Sequence, residues 1–243
     1  MSSKDSGLAL TEFILRKQAN AAKAAQSRRS FLRRGAGLTI AGSSVALLTG
    51  AGPLLEPALP SIPQRRNSFK QIRRHENNHV EFLEGALGSS ARPKPTFQGL
   101  EQPTIEDFMA VSQALEQTGV GAYLGATPFI QNPDFLAAAA SVALIEASHA
   151  AYINTLLSDP ITGDSAASNN DDVLGTSFYF PLTPDEVNAA AGPFIAGLNG
   201  GDPIDYSETR SAGNDIDILN FALALEYLEA DFYNINVAKF FSM

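Results

Sequence analysis

Two pairs of residues in this 243-residue chain have the types and spacing of metal ligands. Glu76 and His79 stand three residues apart, and so do Glu146 and His149. Each pair interrupts an apolar line that advances in alternating steps of four and three. One line runs Ile72, Glu76, His79, Leu83, Ala86 and the other Val142, Glu146, His149, Ile153, Leu156. That rhythm is the buried stripe of an α-helix, so each helix turns a carboxylate and an imidazole toward the core. Burying a carboxylate uncompensated costs several kcal/mol, and a metal ion is a compensation that both side chains can share. Two further lines carry one inward carboxylate each: Met109, Ser112, Glu116, Gly119, Tyr123 and Leu219, Ala222, Glu226, Ala230, Tyr233. Glu229 lies near the same face and is an alternative to Glu226. One Glu from each of two helices, with Glu-x-x-His from each of the other two, is the ligand set of di-iron and di-manganese carboxylate bundles. The expected ligands of two iron or manganese ions are therefore Glu76, His79, Glu116, Glu146, His149 and Glu226. Glu116 and Glu226 are expected to be shared between the ions, with an open position for an oxidant between them. Tyr123 and Tyr233 read as core packing, or as hydrogen-bond partners of the ligands.

The elements that must position these residues are long helices. The first spans roughly Ser68 to Leu87 and is ended by Gly88. A second follows Pro103, with Thr104 as N-cap and Asp107 three residues on, and reaches about Leu124. A third, rich in alanine, covers roughly Pro133 to Leu157 and stops before Asp159-Pro160. The last runs from about Asp215 to Phe240. Between the third and the last lies a loop-rich connection, residues 158–213, with one short helix announced by Thr183-Pro184-Asp185-Glu186. Four long helices with almost no strand periodicity predict an all-α four-helix bundle over residues 61–243.

His75-Glu76-Asn77-Asn78-His79 also matches HExxH, the helix of zinc metalloproteases. Phase argues against it. His75 lies about 100° from the stripe that holds Glu76 and His79, so it should point away from the core. No third histidine follows at the spacing such sites use. The acidic run Asn169 to Asp172 lacks the glycine and glutamate of a calcium loop and reads as solvated chain.

Composition narrows the chemistry further. With 44% hydrophobic and 18% charged residues the chain buries a core, and with no cysteine it has no disulfide, thiolate ligand or iron–sulfur cluster. Residues 1–60 hold eight Lys/Arg against three Asp/Glu, leaving nine against twenty-three in the rest. So acidic a body repels phosphate backbones, which excludes nucleic acid as a partner. The basic start has the layout of a leader: Ser27-Arg28-Arg29-Ser30-Phe31-Leu32, an uncharged stretch from Gly35 to Leu55, and small residues near Gly50-Ala51-Gly52. The arginine pair resembles the twin-arginine export signal, which implies a periplasmic or extracytoplasmic protein. An uncleaved leader would be a membrane anchor, and no other segment reads as a membrane span.

Several stretches together resemble the ferritin-like domain of bacterial and plant desiccation-related proteins. They are Phe221-Ala222-Leu223-Ala224-Leu225-Glu226-Tyr227-Leu228-Glu229-Ala230-Asp231-Phe232-Tyr233, Glu76 to Leu87 with His79-Val80, Glu116 to Tyr123, and Glu146-Ala147-Ser148-His149-Ala150-Ala151. The resemblance covers roughly residues 69–158 and 214–238. It implies the same six ligands: Glu76, His79, Glu116, Glu146, His149 and Glu226. The helix that comes first in that family comes last here, so the order looks circularly permuted, and a last helix that failed to dock could complete a neighbouring chain's site in a homodimer. The function expected is an exported di-metal protein with a redox or stress-protective role, acting on peroxide, dioxygen or ferrous iron. The alternatives are an envelope protein with a non-catalytic metal site and, through HENNH, a zinc protease.

Overall fold

The structure is a computed structural model that describes residues 62–162 and 179–242. The arginine-pair leader and the Asn169 to Asp172 run lie outside the described residues. Four long helices are present: α1 (Ile62–Leu87), α2 (Ile105–Ala126), α3 (Pro133–Leu157) and, after the short α4 (Pro184–Ala191), α5 (Ala212–Phe241). The starts of α2 to α5 are capped by the chemistry their sequences offer. Thr104 accepts from the Asp107 amide, Asn132 from Asp134, and Ser211 from Asn214. Thr183 and Glu186 form a reciprocal capping box. α1 begins six residues earlier and α5 three residues earlier than the periodicity indicates; for α5 the reason is that Ser211 as cap, and not the apolar stripe, sets the first turn.

Helix directions follow from the two ends of the bundle. At one end Phe69 of α1 packs on Phe108 of α2, Tyr152 of α3 and Phe241 of α5, and Phe108 stacks on Phe232. At the other end Leu83 of α1, Ala126 of α2, Ala139 of α3 and Leu219 of α5 line one cavity. Hence α1 and α2 run one way and α3 and α5 the other. α1 packs chiefly on α5, and α2 on α3. α5 docks within its own chain, so no neighbouring chain is needed to close the bundle.

α5 is buried almost all round, from Ile218 to Tyr233. Its outer side is covered by the extended chain that follows α1. Asn220 Oδ1 accepts from the Arg92 amide at 2.7 Å, Asn236 Oδ1 from the Gln102 amide at 2.9 Å, and Asn236 Nδ2 donates to Leu100 O at 2.8 Å. The half-buried Asn220 and the buried Asn236 thus satisfy backbone groups that would otherwise be stranded against an apolar helix. The covering chain includes β1 (Thr96–Phe97), which pairs antiparallel with β2 (Ile195–Gly197), a two-strand element absent from the periodicity. Asp215, at the start of α5, accepts from the Gln131 and Asn132 amides at 2.6 and 2.9 Å and so ties the α2–α3 turn to α5. Contrary to the sequence expectation, α3 is long and apolar enough by composition to cross a membrane. It lies in the bundle with Glu146 and His149 turned inward, which gives its apolar face a core to fill.

The connection returning to α4 lies tightly on α2. Leu182 donates its amide to Gly121 O at 2.8 Å. A Cβ on Gly125 would sit 1.9 Å from Leu182 O, and one on Gly121 2.5 Å from Leu182 Cγ. Ordinarily Gly→Ala in a helix gains about 1 kcal/mol. Gly125→Ala should do the opposite and destabilise by about 1–3 kcal/mol, because a backbone oxygen has to move. Urea unfolding measures this, and a midpoint that is unchanged or raised would show that this segment is not seated on α2.

Candidate metal centre

Midway between the aromatic end and the cavity end, the four long helices turn their polar residues onto one point. Glu76, Glu116, Glu146 and Glu226 are each at most 2% exposed, and His149 is 5% exposed. Their donor atoms fall into two groups, each confined within 4.8 Å: Glu76, Glu116, Glu146 and His149, and Glu76, His79, Glu146 and Glu226. All six residues singled out in the sequence are brought together. The sharing differs from the sequence expectation: Glu76 and Glu146, the carboxylates of the two Glu-x-x-His pairs, belong to both groups, whereas Glu116 and Glu226 each belong to one. The reason is geometric. Glu76 and Glu146 sit on the helices whose histidines define the two groups, so they lie along the line between the groups.

The imidazoles aim at the carboxylates without settling on one. His149 Nδ1 is 3.0 Å from Glu76 Oε1 and 3.1 Å from Glu116 Oε2. His79 Nδ1 lies 3.1 Å from Glu76 Oε2, 3.2 Å from Glu226 Oε2 and 3.3 Å from Glu146 Oε1. One ring nitrogen has one proton or one lone pair and cannot serve two or three oxygens. Among the described residues, Glu76 Oε1 and both oxygens of Glu146 are buried without a hydrogen-bond partner. Burial alone would push the Glu76 carboxyl up, but the facing imidazoles of His149 and His79 hold it down to about 2. Burial and the neighbouring carboxylates push Glu146 and Glu226 above the usual carboxylate range. Burial opposes charge on the imidazoles too, yet Glu116 and Glu76 push His149 up to about 11, and Glu146, Glu226 and Glu76 raise His79.

A second set of residues holds the first. Tyr123 of α2 donates to Glu226 Oε1 of α5 at 2.5 Å, and Tyr233 of α5 donates to Glu116 Oε1 of α2. Each tyrosine stands seven residues after the carboxylate of its own helix and holds the carboxylate of the other, so the two halves mirror one another. The two tyrosines are thus more than core packing. Tyr123→Phe should weaken metal binding roughly 10–100-fold by releasing Glu226, with Tyr233→Phe doing the same for Glu116. Competition with a chelator of known affinity measures the change, and an unchanged affinity would reduce both tyrosines to packing.

His75 corrects the phase argument in part. It is in neither donor group, but it does not point into solvent. Its ring stacks on His149 with centroids 5.1 Å apart, and its Nδ1 is 2.9 Å from His149 Nε2. Burial and the facing His149 lower its pKa, which favours the neutral ring that can accept a proton from His149. The HExxH reading fails here, because the two histidines of that motif engage different groups.

Glu229, one turn after Glu226, is a fifth buried carboxylate. It joins neither donor group, whereas Glu226 joins one. Burial and the nearby Glu116, Glu76 and Glu226 push its carboxyl well up. Room for it comes from Gly119, where a Cβ would lie 3.1 Å from Glu146 Oε2 and 3.3 Å from Glu229 Oε1. The glycine on the Glu116 stripe is the one sequence signal that such space was needed.

The family profile described as a ferritin-like domain matches residues 58–159 and 214–242. No curated protein and no solved structure matches the chain. The match covers α1 to α3 and α5, the helices that carry every residue of the two donor groups, and spans more than half of the sequence: the chain belongs to the ferritin-like domain family.

Proposed function

We propose that the centre binds two divalent ions, iron or manganese, with Glu76 and Glu146 available to both, and that it carries out redox chemistry with a small oxidant. The observation that carries this reading is the pair of overlapping donor groups with two carboxylates in common. Three features of the residues fit such ions. The orphaned oxygens of Glu76 and Glu146 acquire partners. The four grouped carboxylates carry four negative charges, and two divalent ions with neutral imidazoles cancel them. Carboxylate and imidazole ligation without sulfur suits iron and manganese.

When bound, the ions would supply redox equivalents. The chain's own part is to position and insulate. Glu116 and Glu226 are fixed by Tyr233 and Tyr123, His149 is fixed by His75, and the helices exclude bulk water. No nucleophile with a free adjacent histidine is present among the described residues, which disfavours hydrolysis. Export is part of this reading and rests on Arg28 and Arg29, so processing that persists after both are changed to Lys would remove it.

The test is to load the protein anaerobically with ferrous iron, admit dioxygen or hydrogen peroxide, and follow near-ultraviolet absorbance together with oxidant consumption. Glu146→Ala is the control. Oxidation is expected in the wild type and not in the control. Equal behaviour of the two would leave the centre a structural role.

A further inference from the structure

The centre is closed differently on its two sides. At the aromatic end, rings fill the bundle. At the other end a cavity remains, and its walls begin one helical turn from the ligands. Val142 precedes Glu146 by four residues, Ala222 precedes Glu226 by four, and Leu83 follows His79 by four, about 5.4 Å along each axis. Tyr123, whose hydroxyl holds Glu226, contributes to the wall nearest the centre.

Size and chemistry select the occupant. The surface the cavity presents is entirely apolar, and it leaves about 20 Å³ for the centre of a water-sized guest. A single water needs roughly 10–15 Å³ measured in this way, together with two to four polar partners. The cavity therefore has room for one small molecule and offers it no hydrogen bond. A ferrous ion would lose its hydration here uncompensated, and hydrogen peroxide would lose its hydrogen bonds. An organic substrate is too large. Dioxygen, diatomic and apolar, meets both conditions. Toward the surface the lining includes Phe82, which is 48% exposed. Ions have another approach, since the His79 side chain is 12% exposed and neighbours the half-buried His75.

We propose that this cavity is a dioxygen site serving the centre, so that dioxygen and not peroxide is the oxidant. The inference rests on the redox reading above and narrows it.

Xenon, an apolar probe of similar reach, tests the cavity without any metal. Crystals of the metal-free full-length chain under xenon pressure should hold xenon between Val142, Ala222 and Tyr123. Filling the space from opposite helices with Ala222→Leu or Ala139→Leu should abolish it. Absence of xenon from the wild-type cavity overturns the proposal whether or not the variants fold. With ferrous-loaded protein, Ala222→Leu should slow oxidation by dioxygen at least tenfold more than oxidation by hydrogen peroxide. Equal slowing overturns the assignment of the oxidant. If wild-type protein binds no metal, or neither oxidant reacts with it, the redox reading itself has failed, and the xenon result alone still decides whether the cavity takes a diatomic gas.

Discussion

Replacing Glu146 with glutamine is expected to empty both metal positions, whereas replacing Glu116 or Glu226 should empty only one. Glu146 lies in both donor groups, and so does Glu76; Glu116 and Glu226 lie in one each. The amide keeps the volume of the side chain, so the helices stay packed, but it loses the charge and one of the two acceptor oxygens that a bridge requires. Metal analysis per chain should read near two for wild type, near zero for Glu146→Gln and Glu76→Gln, and near one for Glu116→Gln and Glu226→Gln. The opposite pattern, with Glu116 and Glu226 variants empty and Glu146 retaining one ion, would restore the arrangement expected from sequence. A circular dichroism spectrum like the wild type's keeps a folding failure from being mistaken for loss of a ligand.

Why the sequence singles out the six residues but not the two carboxylates common to both donor groups has a physical answer. Periodicity reports which side of a helix a residue occupies, and Glu76, His79, Glu146 and His149 announce themselves by interrupting apolar stripes. Sharing depends on how far α1 slides along α3, and that register is set by contacts hundreds of sequence positions cannot reveal singly, such as Phe69 against Tyr152. The contact that His75 makes is hidden from the sequence for a related reason. A residue 100° off the stripe leaves its own core, but it can still meet the neighbouring helix, and here it meets His149. Helices are legible because their caps and stripes are local; the β1–β2 pairing joins residues about a hundred positions apart through strands of two and three residues and leaves no periodic trace. Glu229 was ambiguous because α5 is buried on nearly every side, so facing the core does not discriminate among its carboxylates. Gly125 carried no readable instruction at all, since its need for a bare Cα arises from Leu182 fifty-seven residues later.

Loading the centre with metal near neutral pH should release at least two protons per chain. In the metal-free protein, burial works against charged imidazoles, but Glu116 and Glu76 push His149 up to about 11, and Glu146, Glu226 and Glu76 raise His79 as well. Both rings therefore carry a proton at pH 7, and each must give it up before its Nδ1 can bind an ion. Glu146 and Glu226 are raised too, chiefly by burial, so any proton they hold adds to the count. The sign for stability follows from the same shifts. A histidine with a raised folded pKa contributes stability that is complete below its unfolded value near 6.5 and declines as pH rises, vanishing for His149 at about 11. Glu76 acts oppositely: its contribution is present above the unfolded value near 4.5 and is lost as pH falls toward about 2. Metal-free protein should thus melt at progressively lower temperature from pH 7 to pH 10, while the metal-loaded protein changes little because its imidazoles are already deprotonated. Apparent affinity should rise about tenfold per pH unit for each proton displaced, so about a hundredfold for two. Calorimetric titration with a divalent ion in two buffers of different ionisation enthalpy counts those protons directly. Fewer than one proton released per chain would mean that the imidazoles are neutral and the carboxylates around them ionised before metal arrives.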